Sequence, residues 1–213
     1  MARVDRAVVA GLRALGLPRG PIRRLLVEGG PGPYGRKDPD CTLLLFGDRI
    51  RELLREPRGP DTTFRTWVHE SLHGRHPRLA SYRREYAQWP GYEEGLAEGL
   101  ARLVVRDRAG LDPIEASYHY YVIAYRAVAR TIDTDVERLW RGLWQSPLGG
   151  VRASFANTVD ELRRERTGRA LMSRQRAKLG ALADMHFQLA RARGSPHEDA
   201  MMREWRTAFD DGG

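Results

Sequence analysis

His69, Glu70 and His73 stand in the order His-Glu-x-x-His, with Ser71 and Leu72 between them. Two histidines four apart on an α-helix are offset by about 6 Å along the axis and about 40° around it, so both imidazoles can turn to one metal ion. Zn2+ held in this way takes a third protein ligand and keeps a fourth position for water. Glu70, directly after the first histidine, is placed to act on that water as general base. Three side chains are candidates for the third ligand. His76 lies close to the face of His73, but Gly74 and Pro77 bracket it, and a further turn of the same helix cannot close a tetrahedron. Glu93 and Glu94 are adjacent, so a helix can turn only one of them inward. Glu94 is preferred, because Glu98, four residues on, shares its face and can accept a hydrogen bond from the second nitrogen of a ligating histidine.

Helices are needed to hold this set. Asp61-Thr62-Thr63 supplies N-cap residues for a helix over 62–74 that Pro77 closes, and Trp67, Val68 and Leu72 predict that it lies against a core. Trp89-Pro90-Gly91 precedes a second helix, over 92–108, that carries Glu94 and Glu98. Upstream, Val4, Val8, Leu12 and Leu15 recur at helical spacing until Gly16 and Pro18. Residues 29–40, rich in Gly and Pro, read as a loop, and Cys41 to Phe46 as a short buried strand. Asp48 caps a helix expected over 49–55. Asp112-Pro113 opens another that runs to 132 and contains Tyr118, Tyr120, Tyr121 and Tyr125. Further helical patterns cover 135–144, 151–166, 170–193 and 196–209. The expected class is α+β, mostly α, with a small sheet in the N-terminal half.

By composition alone the His-Glu-x-x-His pattern arises in about 1% of shuffled chains of this length, so its weight rests on the helix and on the second pair of glutamates. The composition excludes other classes. With 41% hydrophobic and 30% charged residues and a mean hydropathy of -0.56, the 213 residues form a soluble globular chain. No apolar run approaches the ~18 residues of a membrane span. The stretch Ala7 to Leu17 is broken by Arg13 and followed by no small-residue cleavage site, which predicts a cytoplasmic protein without signal peptide. Cys41 is the one cysteine, so no internal disulfide forms and no thiolate cluster holds the metal. The net charge of +8 is concentrated: residues 161–193 hold nine basic against three acidic side chains. Lys37 and Lys178 are the only lysines among 36 basic residues, and the basic segment has few aromatics for bases to stack on. Solvated helix faces account for it better than a nucleic-acid footprint does.

The run Trp67-Val68-His69-Glu70-Ser71-Leu72-His73, followed by Tyr92-Glu93-Glu94-Gly95-Leu96-Ala97-Glu98, resembles the gluzincin metallopeptidases, in which HExxH is followed by a glutamate helix of pattern EGxA. The resemblance covers residues 40–145. It implies a zincin-like core in a metallopeptidase domain of residues 1–150, with 151–213 as a basic helical C-terminal extension. It further implies Zn2+ on His69, His73 and Glu94, Glu70 as general base, Glu98 as supporting acid, and hydrolysis of peptide bonds in a protein or peptide substrate. The strand Leu43 to Phe46 would align the substrate backbone. A tyrosine on a following helix would stabilise the oxyanion. Tyr118 fits that place, with Asp133 where the family has glycine, and Tyr121, Tyr125 and Arg126 compete for the role.

Other functions stay open: an aminopeptidase or another hydrolase, a catalytically silent zincin scaffold for binding or assembly, of phage or mobile-element type, and a nucleic-acid-associated protease using residues 161–193. The intact Glu70 argues against the scaffold, since a structural zinc site needs no base. His119, His186 and His197 are isolated and read as packed or exposed histidines, and Trp140 and Trp144 as helix packing.

Overall fold

A computed structural model describes residues 2–17, 19, 22–29, 35–38, 42–48, 51, 62–73, 90–109, 118–145, 151–188 and 197–210. Cys41, His76, Trp89, residues 113–117 and, apart from Arg51, the helix expected over 49–55 lie outside them. The described elements are α1 (Ala2–Ala14), β1 (Arg24–Glu28), β2 (Gly35–Lys37), β3 (Thr42–Phe46), α2 (Thr62–Leu72), α3 (Pro90–Ala109), α4 (His119–Thr131), α5 (Val136–Gln145), α6 (Val151–Thr167), α7 (Ser173–Gln188) and α8 (Glu198–Phe209). The chain is thus α+β and mostly α, with a three-stranded sheet. Among the described residues no helix is long and apolar enough to cross a membrane.

Contacts gather the chain into two units that interleave in sequence: residues 1–83 with 97–116, and residues 84–96 with 117–213. Residue 150 therefore falls inside the second unit, and α3 contributes its first turns to the second and the remainder to the first.

In the first unit, α1 ends as its sequence dictates. Gly16, at φ +69°, takes the left-handed position, its N–H donates to the Arg13 carbonyl at 3.0 Å, and the Leu17 N–H reaches back to the Leu12 carbonyl at 2.9 Å. Leu12 and Leu17 are both buried, supplying the apolar contact of this cap. The sheet has the order β1-β3-β2, with β1 parallel and β2 antiparallel to β3. Every residue of β3 is buried, as its unbroken apolar run predicts. Two differences from the sequence reading appear here. Residues 35–37 form a strand where a loop over 29–40 was expected, and Arg24–Glu28 form a strand that no pattern had marked. As a consequence β3 is the central strand, its backbone donors and acceptors committed on both sides. It cannot take an added substrate strand, so the alignment role expected of Leu43 to Phe46 does not stand.

Helix α2 packs on β2, β3 and α1. Phe64, Trp67, Val68 and Leu72 are its apolar anchors and are fully buried.

The second unit is a helical assembly in which α8 packs on α4 and α7, α6 on α5 and α7, and α4 on α5. Its core is aromatic: Tyr92, Tyr125, Phe155, Phe187 and Trp205 are fully buried, with neighbouring ring centroids 4.6 to 6.4 Å apart. Edge-on and tilted arrangements dominate, as ring quadrupoles favour. Trp140 and Trp144 are buried on α5, as packing residues.

Candidate metal centre

His69 lies on the last turn of helix α2 and His73 directly follows its last residue, each only 4% exposed. Their Nε2 atoms face one another at 2.9 Å, with ring centroids 4.7 Å apart and planes crossing at 77°. The ligating atoms of His69, Glu70 and His73 lie within 4.8 Å of one another, and among the described residues this is the group of metal-ligating types that comes together. Glu70 keeps partial exposure. Two nitrogens each about 2.0–2.1 Å from a tetrahedral ion stand about 3.3 Å apart, so a few tenths of an ångström separate the observed spacing from that of zinc ligands. A pair of imidazoles suits that metal, and the Glu70 carboxylate beside them is placed as a base for a bound water.

The second nitrogen of His69 has a fixed neighbour. Its Nδ1 lies 3.3 Å from Glu98 Oε2 on α3, an acceptor for the tautomer that carries its proton on Nδ1 and keeps a lone pair on Nε2. Glu98 is 3% exposed, and a buried carboxylate needs compensation. Arg102 Nε donates to its Oε1 at 2.9 Å, and Arg65 Nε stands 3.6 Å from the same oxygen. Burial pushes the Glu98 carboxyl up, but the His69 imidazole beside it and the charges of Arg65 and Arg102 outweigh burial and hold it below the usual carboxylate range. It is therefore a carboxylate at neutral pH, as an acceptor for His69 requires.

Arg65 and Arg102 were not among the residues singled out from sequence, although the signal was present. Arg65 precedes His69 by four residues and Arg102 follows Glu98 by four, the helical spacing that had already paired His69 with His73. Lys37 was missed as well. Its Nζ donates to the His73 carbonyl oxygen, placing a cation from β2 at the C-terminal end of α2 and satisfying a carbonyl that the helix leaves open.

Helix α3 begins with Pro90 at its first position, where a missing N–H costs nothing. Every residue from Gly91 to Ala101 is buried, so Glu93 and Glu94 are enclosed although both are acidic. Glu94 sits one turn ahead of Glu98 on this helix and outside the group formed by His69, Glu70 and His73.

In the second unit the tyrosines separate by their partners. The Tyr125 hydroxyl is buried and donates to the Tyr92 carbonyl at 2.8 Å, which commits it to the core. Tyr120 has its hydroxyl 3.3 Å from His186 Nδ1. Tyr121 is buried, and its ring stacks on that of Tyr118 with centroids 6.2 Å apart. Tyr118 itself is partly exposed and precedes α4 with φ +71°, a left-handed conformation that costs a non-glycine residue energy. Asp133 is also left-handed at φ +53°, a region that aspartate tolerates better than most residues. Arg126 pairs with Glu198 at 3.2 Å.

The basic segment is partly neutralised by its own unit. Arg166 bonds Asp133 at 2.7 Å, Arg176 pairs with Asp160, and Glu165 takes Arg138 at 2.7 Å. His186 is fully buried between Tyr120 and Glu204 and stacks on Trp205, a packed histidine.

No family model, curated protein or solved structure matches the chain.

Proposed function

We propose that this chain is a zinc-dependent peptidase with a zincin-like core. The observation that carries the reading is the convergence of the two Nε2 atoms of His69 and His73 while the other nitrogen of His69 is turned to the buried carboxylate of Glu98. A surface helix with solvent-facing histidines has no use for that arrangement. His69 and His73 would hold the ion, with Glu94 as third ligand on the turn of α3 that precedes Glu98. A zinc ion at this place supplies a Lewis acid that brings the pKa of a water to about 7 and polarises a carbonyl. Glu70, next to His69, takes the proton of the attacking water and delivers it to the departing amine. Glu98 keeps the His69 ring in one orientation and one tautomer, and Arg65 and Arg102 keep Glu98 charged.

The test pairs metal content with activity. Purified protein should carry one zinc per chain and cleave an unfolded protein substrate in a chelator-sensitive manner. Glu70→Gln should remove hydrolysis by a factor of at least ~100 while leaving bound zinc unchanged, because the residue is a base and not a ligand. Loss of zinc in that variant would overturn its role. Stoichiometric zinc with no hydrolysis in the wild type would instead leave a scaffold function.

A further inference from the structure

Strand β1 is an edge of the sheet, and among the described residues no strand pairs with its outer side. Leu26 and Val27 are 46% and 43% exposed there, two of the three large apolar side chains that stand out as exposed among the described residues. An open strand edge carrying apolar side chains is a template for another strand. The sequence of this one, Arg24-Leu25-Leu26-Val27-Glu28, says which. It is self-complementary about its central residue. In an antiparallel pair of two such strands centred on Leu26, Arg24 stands opposite Glu28 of the partner subunit and Glu28 opposite its Arg24. Leu25 meets Val27, and Leu26 meets Leu26. Side chains alternate along a strand, so one face of the pair holds the Leu26 contact flanked by two ion pairs, and the other holds two Leu–Val contacts.

We propose that β1 is the interface of a two-fold homodimer, formed by antiparallel addition of β1 to β1 into a continuous six-stranded sheet. An interface about a two-fold axis uses the same patch on both copies, and a strand that complements itself in charge and in apolar contact meets that condition. Charged residues on an edge strand ordinarily discourage pairing. Here they are of opposite sign and equidistant from Leu26, so the two-fold turns both into attractive contacts. A peptide of arbitrary sequence would gain the backbone hydrogen bonds but neither ion pair. One strand pair buries less than the ~1,200 Å² of a standard interface, which places the dimer among weak, reversible assemblies.

Sedimentation velocity of the full chain over a concentration series tests this. The wild type should shift from monomer to dimer. Arg24→Glu alone sets two acids opposite each other at both ends of the strand pair, and Glu28→Arg alone sets two arginines there. Each should weaken self-association about tenfold or more. Mixing the two variants should restore dimers, because the introduced glutamate and the introduced arginine then face each other. Both positions are exposed, so circular dichroism should show the fold unchanged. A wild type that stays monomeric throughout, a dimer indifferent to either reversal, or a mixture that stays monomeric would each overturn the proposal.

Discussion

Glu98 is the residue on which the electrostatics of the site turn. It lies on a helix buried on every side through Ala101, where a lone carboxylate would cost several kcal/mol, and it persists because an imidazole and two guanidinium groups surround it. Glu94, the third ligand of the proposed reading, is enclosed in the same helix one turn earlier. Glu94→Ala should therefore lower zinc content by at least about tenfold at limiting metal. Mass spectrometry of the native protein reads this directly. Zinc bound as tightly as in the wild type would move the third ligand to Glu93 or His76. The parts of the site legible in the sequence are those bound by local rules: His69 with His73, four apart, and Glu98 as the carboxylate beside the second nitrogen of His69. Lys37 was out of reach, because its partner is the carbonyl of His73 on a distant element and no spacing relates the two.

At the scale of elements, helices were read well where an apolar stripe met an end signal. The helix expected over 62–74 is observed as Thr62–Leu72, that over 92–108 as Pro90–Ala109, and that over 135–144 as Val136–Gln145. Helix α7 is shorter among the described residues than the 170–193 expected, running from Ser173 to Gln188. The strands β1 and β2 escaped for a physical reason. Gly35–Lys37 has no apolar alternation and is a strand because β3 offers it a ladder. Arg24–Glu28 has its apolar residues together, and a pairing with β3 decided what its own pattern left ambiguous. Close packing of α3 on α4 in the second unit is similarly decided by neighbours. A Cβ on Gly95 would come within 2.6 Å of Tyr121 Cβ and 3.3 Å of its backbone carbonyl carbon. Ala is the better helix former by about 1 kcal/mol, yet the clash falls near backbone and not at a flexible tip, so overpacking of about 1–3 kcal/mol wins. Gly95→Ala should lower the urea midpoint of unfolding; an unchanged or higher midpoint would show that α4 yields at no cost.

For the whole molecule, a metal site in a buried setting couples ligand to stability. An ion that binds the folded chain and not the unfolded one adds about 2.7 kcal/mol at a hundred times its dissociation constant. In a chain of this size each 1 kcal/mol moves the melting temperature by roughly 2–4 °C, so if zinc is bound as proposed its removal should lower it by about 5–10 °C. Calorimetry with and without chelator measures the difference, and coincident melting curves would dissociate the cluster from any metal. The charge of the molecule points the same way as its local pairs. Arg138, Arg166 and Arg176 are engaged with carboxylates of their own unit, which leaves the net charge less available to an external polyanion than the count of arginines implies.

The bond from Lys37 to the His73 carbonyl has a practical consequence. Because 34 of the 36 basic residues are arginine, an amine-directed acylating reagent finds only two side chains to modify in this sequence, Lys37 and Lys178. Lys178 donates to a carbonyl at the surface, whereas Lys37 is partly buried and closes the end of the helix that bears His69 and leads into His73. The rate at which Lys37 is acylated, followed by peptide mass mapping, thus becomes a clock for how often β2 and the end of that helix part company.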